Sequence, residues 1–173
     1  MEKEAPSSAD HTHEWQQLVG QAMLRFGDIE YVSIMCLQHL PQDKIANSAS
    51  KLPFSRRADL LVEMLEARSP LSAHLAALIK GFKRARTLAE TRNLIAHNPL
   101  LLTLYFDEDM EKVASMEHVI ASRNPGGGIN LEELKEFAAE VDSLASEMWH
   151  AFLNETGRTE AITRAAKNKK QSE

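Results

Sequence analysis

The chain is poor in the residues that build disulfide frameworks, cysteine-based metal sites and membrane spans. Cys36 is the only cysteine among 173 residues, which excludes intramolecular disulfides and zinc ribbons. No apolar run approaches the roughly 18 residues that a transmembrane helix needs, and the first residues lack the basic flank and apolar stretch of an export signal. We therefore expect a cytoplasmic protein that does not enter a membrane, with Cys36 in its core.

What is present is typical of one globular domain. Hydrophobic residues make up 43% and charged residues 26% of the sequence, and the length allows one core of ordinary size. The first residues are rich in Glu, Ser, Ala and Pro, and the last are polar and basic. We expect a disordered arm over 1–11, a folded domain over 12–157 and a flexible basic tail over 158–173.

The net charge of −5 hides an uneven distribution. The segment 51–92 contains nine Lys or Arg against four Asp or Glu, a local balance of +5. An acidic chain does not coat duplex DNA indiscriminately, but a local basic strip can hold a few phosphates. Binding of a short stretch of nucleic acid by this basic segment is therefore not excluded by the net charge.

Apolar spacing predicts five helices. We expect them over 12–40, 43–51, 55–68 with Ser55 as N-cap, 71–98, and from Asn130 to near Gly157. Glu133 stands three residues after Asn130, as a capping box requires. Gly20 and Gly27 lie inside the first helix, where we expect them to allow close contact with a neighbouring helix.

The segment between the last two helices changes period. The density of Leu, Thr, Tyr and Phe in Leu100–Phe106 and the alternation in Glu117–Arg123 predict a small β-hairpin, or a loop, inserted at about 99–130. A helical turn over 107–115 is an alternative, since Met110, Val113 and Ala114 have helical spacing. The stretch 125–128 is expected to be a loop.

The end of the fourth predicted helix carries the sequence Arg92-Asn93-Leu94-Ile95-Ala96-His97, followed by Asn98 and Pro99. Asn93 and His97 are one turn apart on one edge of the apolar stripe, and Arg92 leaves the helix about 140° from His97. Three polar groups so close to buried surface must be hydrogen-bonded or must face a wet cleft. The hexapeptide is therefore the best candidate for a functional site.

Arg92, Asn93 and His97 resemble the motif of the HEPN superfamily, in which an arginine and a histidine are separated by four residues and a polar residue often follows the arginine. The resemblance extends loosely over 12–154, and the segment 53–60 adds to it. It implies an all-α fold, an antiparallel HEPN-like helical bundle with the small inserted hairpin or loop. The tyrosine found two residues after the histidine in HEPN toxins that have a nucleotidyltransferase partner is Pro99 here, which argues against control by that partner.

The resemblance also implies metal-independent cleavage of RNA by a homodimer, without a cofactor, as in a toxin or defence effector. Single-stranded or tRNA-like RNA is the implied substrate, and an antitoxin or regulatory protein is a possible partner. An imidazole can exchange a proton with the ribose 2′-hydroxyl or the leaving oxygen, which gives His97 an acid–base role. Arg92 would stabilise the phosphorane-like transition state, and Asn93 would position the phosphate or His97.

Six further basic residues lie near this motif in the sequence. As possible guides for a phosphate backbone we name Lys80, Lys83, Arg84, Arg86, Arg56 and Arg57. A solvated helix face is the equally simple alternative for each of them.

Two other classes of protein remain open. A non-catalytic regulatory module would use the same pocket for a nucleotide or a partner. A purely structural protein would bury the motif, with Arg92 paired to an acid of its own chain such as Asp28 or Glu30. In that case Asn93 satisfies a core carbonyl and His97 caps the helix.

Overall fold

In a computed structural model the described residues form five helices and a small sheet. The structure describes residues 8–40, 46–107, 109, 112–122 and 128–158, with side chains from residue 12 onward. The helices are α1 (Ser8–His39), α2 (Ala46–Ala49), α3 (Phe54–Glu66), α4 (Ala73–His97) and α5 (Leu131–Glu155). The strands are β1 (Leu100–Phe106), β2 (Val113–Ala121) and β3 (Gly128–Ile129). Within these ranges no helix is both long and apolar enough to cross a membrane.

The prediction of an all-α fold is wrong, because the inserted segment forms an antiparallel sheet with strand order β1-β2-β3. The fold is therefore mostly helical with a small sheet. β1 has the predicted bounds, but β2 begins at Val113, so the alternative of a helical turn fails at 113–115. The third strand was missed because Ile129 pairs with Ile120 and both side chains are buried, a tertiary contact that local spacing does not show.

The helix ends follow local chemistry with two exceptions. Asn130 and Glu133 form the predicted capping box at the start of α5. Ser72 caps α4 by accepting a hydrogen bond from the Leu75 amide. The prediction of Ser55 as N-cap is wrong, since Pro53 holds that position without a side-chain hydrogen bond. The predicted arm also differs, because residues 8–11 belong to α1, whereas 1–7 lie outside the described residues.

The core lies where α1, α4 and α5 meet, with α3 against α4. Its largest fully buried side chains include Phe26 of α1, Phe82 of α4 and Phe152 of α5. Cys36 is buried among them, as predicted, and burial raises the pKa of its thiol. Burial of one apolar face from each helix fixes how the end of α4 lies against α1.

Gly81, and not the two glycines of α1, makes the close helix contact. Apart from the adjoining backbone of α1, no atom of the described residues lies within 4 Å of the position that a Cβ would take at Gly20 or Gly27, so the predicted contact there is wrong within this part of the chain. A Cβ at Gly81 would lie 2.7 Å from Cγ and 3.0 Å from Sδ of Met148. The missing side chain at Gly81 therefore lets α4 approach α5.

Alanine substitution at two of these glycines is expected to change stability in opposite directions. Gly27→Ala adds a methyl group in open space and should raise the free energy of unfolding by about 0.5–1 kcal/mol, through helix propensity. Gly81→Ala should lower it by about 1–2 kcal/mol, because Met148 is buried and must shift. Urea unfolding measures both. Equal stabilisation by the two substitutions would contradict the close α4–α5 contact.

Candidate functional site

The three residues of the motif leave the last turns of α4 in different directions. His97 is the final residue of the helix, which stops because Asn98 takes an extended conformation before Pro99. The Asn98 side-chain amide donates to the Leu94 carbonyl at 2.8 Å and so satisfies one of the helix-terminal acceptors. Asn93 and His97 are exposed, whereas the Arg92 side chain is 22% exposed and is turned towards α1.

Arg92 is held by residues of α1 and by its own neighbour. One guanidinium nitrogen donates to Glu30 Oε1, and the other donates to Asn93 Oδ1 at 2.8 Å. The guanidinium carbon lies 5.0 Å from the ring centroid of Phe26. Burial lowers the pKa of Arg92 from its ordinary value, but an arginine keeps its charge near neutral pH. The structure thus has a fixed cation of defined orientation at the end of α4.

Phe26 and Glu30 are one turn apart on α1, which is why one arginine meets both. Glu30 was one of the two acids that the structural alternative named for Arg92. Phe26 was not named as a site residue in the sequence analysis. Its position four residues before Glu30 is the signal that would have identified it as the surface beneath the guanidinium.

Two clefts meet beside this arginine. The α3–α4 cleft has a volume of about 710 Å³ and extends from Glu63 and Lys83 to Asn93. The Arg92 cleft, about 390 Å³, is lined by Glu30, Arg92 and the start of α3. Ser55, Ala89 and Asn93 line both clefts. The two clefts are therefore adjacent, with Asn93 at their junction.

His97 lines neither of these clefts. It lies one helical turn beyond Asn93, exposed at the end of α4. The structure therefore brings Arg92 and Asn93 together in one chain, but leaves His97 on the outer surface beside them.

The predicted basic strip does not form one free positive surface. Lys83 pairs with Glu66 at 2.7 Å and Arg86 with Asp59 at 3.1 Å, both across the α3–α4 cleft. Arg84 points the other way and pairs with Glu140 of α5 at 2.8 Å. The charged side chains that line the α3–α4 cleft are three basic and three acidic: Arg56, Lys83, Arg86, Asp59, Glu63 and Glu90.

The six basic residues fall into three groups. Lys83, Arg84 and Arg86 are exposed and each is paired with an acid. Lys80 and Arg56 are also exposed, and they are not among the ion pairs of the described residues. An exposed ion pair is weak, so a phosphate can compete for its cation. The sixth residue, Arg57, is buried.

Arg57 has a structural position inside the fold. Its side chain donates to Ser33 Oγ at 2.6 Å and to the carbonyls of Ser50 and Leu52 at 3.1 and 3.0 Å. Ser33 in turn donates to the Glu30 carbonyl at 2.5 Å. Burial lowers the pKa of Arg57, and the residue is 6% exposed. It connects α3 to α1 and is not placed to guide a phosphate backbone.

Comparison with known proteins assigns no family to the chain. No family model, curated protein or solved structure matches it. The class that fold and site define is a mostly helical protein with an oriented arginine that lines one of two adjacent clefts.

Two neighbouring arginines provide a test of these positions. Arg57→Ala should lower the free energy of unfolding by about 2–4 kcal/mol, because the buried Ser33 hydroxyl and two carbonyls lose a charged donor. Arg56→Ala, at an exposed site in the same turn, should change it by no more than about 0.5 kcal/mol. Urea unfolding of both variants checks this. Similar small losses at the two positions would contradict the buried role of Arg57.

Proposed function

We propose that the chain is a metal-independent RNA endonuclease, with Arg92 as electrostatic clamp, Asn93 as positioning group and His97 as acid–base residue. The single observation that carries the proposal is the end of α4. There the partly buried Arg92 is oriented by Glu30 and Asn93, while His97 is exposed to solvent one turn beyond Asn93. The resemblance of the motif to HEPN ribonucleases supports the same roles.

The proposed reaction is transesterification at the RNA phosphodiester. The ribose 2′-oxygen attacks phosphorus, the bond from phosphorus to the 5′-oxygen breaks, and the products are a 2′,3′-cyclic phosphate and a 5′-hydroxyl. An imidazole takes the proton from the 2′-hydroxyl or gives one to the leaving oxygen. Arg92 stabilises the added negative charge on the equatorial oxygens with hydrogen bonds that are oriented before the reaction.

A homodimer is part of this proposal. The attacking and leaving oxygens lie on opposite sides of phosphorus, so one imidazole cannot easily serve as base and as acid. Two copies with their motifs facing each other across a shared groove would supply both groups. The exposure of His97 and Asn93 supports this arrangement, since both side chains are open to a facing chain.

The Arg92–Glu30 pair also favours a second candidate, a non-catalytic binding or regulatory module. An acid of the same chain offsets part of the charge that a phosphate would meet. The α3–α4 cleft beside Asn93, in which three acidic side chains balance three basic ones, would suit a nucleotide or a partner protein as well as RNA. The exposed His97 has no assigned role in this second candidate.

Cleavage of single-stranded RNA in EDTA tests the proposal. The wild-type protein should release products with 2′,3′-cyclic phosphate ends, and RNA with 2′-deoxyribose at the cut position should resist. His97→Ala should lower the rate by about 100-fold or more, through loss of acid–base catalysis.

The matched control is His74→Ala. His74 is an exposed histidine in the first turn of the same helix, about 35 Å from His97 along the axis. The His74→Ala variant should cleave RNA at the wild-type rate. Cleavage by His97→Ala at that same rate would contradict the proposed role of His97. Failure of the wild type to cut varied RNAs would favour the binding module.

A further inference from the structure

The hairpin of β1 and β2 carries the largest group of exposed apolar side chains in the described part of the chain. Six of the seven residues of β1 are large hydrophobics, each at least 37% exposed. One face continues the core outwards from the Leu100–Ile120 pair through five side chains that are 45–65% exposed: Leu102, Leu104, Phe106, Val113 and Met116. A patch of this kind on a folded chain marks an interaction surface.

β1 also has an open edge. Within the described residues, β2 lies on one side of β1 and no strand lies on the other. The Ala121 amide donates to the Pro99 carbonyl at 3.0 Å, so residues 99, 101, 103 and 105 point their backbone groups at β2. By the alternation of an antiparallel ladder, the amides and carbonyls of Leu100, Leu102 and Leu104 point outwards. These groups can accept another strand.

The edge lacks the features by which proteins protect such strands. Residues 100–106 contain no charged residue and no proline, and the irregularity in the ladder comes only at its end, between Tyr105 and Phe106. Long, apolar, uncharged edges pair with another chain. β3 pairs only with Ile120 and Ala121, so the outer part of the hairpin has two strands, and a two-stranded ribbon is marginally stable in water. An added strand would therefore also stabilise the hairpin.

We propose that β1 pairs antiparallel with β1 of a second copy of this chain, about a two-fold axis at Thr103. In this register Leu102 of each copy lies opposite Leu104 of the other, and the outward backbone groups of both residues form hydrogen bonds. Thr103 lies opposite its own equivalent in a close, non-hydrogen-bonded pair, which favours threonine. In this register all seven residues of β1, 100–106, lie opposite residues of β1 in the other copy.

A second copy fits this edge because the strand is complementary to itself. Every opposed pair joins apolar to apolar or threonine to threonine, and no charge faces another. The face defined by Leu100, Leu102, Leu104 and Phe106 continues across the axis as one apolar surface.

This surface is separate from the motif. In the proposed register the two Leu100 residues are about 20 Å apart along the strands, so the two His97 side chains lie at opposite ends of the joint sheet. The contact does not build the shared groove of the proposed ribonuclease, and it does not depend on it. If both two-fold contacts form, the assembly contains more than two copies.

Substitution of Leu102 and Leu104 by charged residues tests the pairing. In Leu102→Glu/Leu104→Glu, and equally in Leu102→Lys/Leu104→Lys, like charges face each other across the axis, and the dissociation constant should rise by about 100-fold or more. The mass measured by sedimentation should fall at least by half in either variant. An equimolar mixture of the two should regain the wild-type mass, because Glu then faces Lys.

The matched control is Leu24→Glu/Tyr31→Glu, which places the same charges at two exposed apolar residues of α1 and should keep the wild-type mass. Recovery in the mixture also shows that both hairpin variants are folded. A monomeric wild type, an unchanged mass in the charged variants, or no recovery in the mixture each overturns the proposal. RNA cleavage by the charged variants is read separately, since no motif residue is altered.

Discussion

The ion pair between Glu30 and Arg92 joins the first long helix to the end of the fourth, over the ring of Phe26. This contact sets the direction of Arg92 and the place of Asn93 between the two clefts. Both residues lie near the end of α4, which stops five residues after Arg92. A guanidinium held in this way does not have to be ordered again when an anion binds. The same ion pair offsets part of the positive charge of Arg92. The site therefore holds an oriented guanidinium whose attraction for an anion is reduced.

The parts of the fold that depend on neighbouring residues could be predicted from sequence. The Asn130–Glu133 capping box is a local exchange of hydrogen bonds, and the end of α4 follows from Pro99. β1 was predicted with its observed bounds because its density of Leu, Thr, Tyr and Phe is itself a local signal. The apolar stripes indicated the helices for the same reason, although the start of α1 and the cap of α3 differed.

The parts that depend on distant residues could not be predicted. Charge counts over 51–92 indicated a basic strip, but they do not show that Asp59 and Glu66 lie across the cleft from Arg86 and Lys83. Arg57 looked like its exposed neighbour until Ser33 and two loop carbonyls were placed around it. The third strand likewise exists through its pairing with β2. Composition gives the number of charges, and the fold decides which of them are free.

The structure thus separates two surfaces, the oriented arginine with its exposed histidine and the apolar edge of the hairpin, and the first depends on Glu30. A double-mutant cycle on unfolding free energies, with Glu30→Gln, Arg92→Gln and both together, measures this dependence directly. We expect a coupling of about 1–2 kcal/mol, because both side chains are largely removed from water, with 31% and 22% exposure. Additive losses, with a coupling near zero, would contradict the account of how α1 holds Arg92.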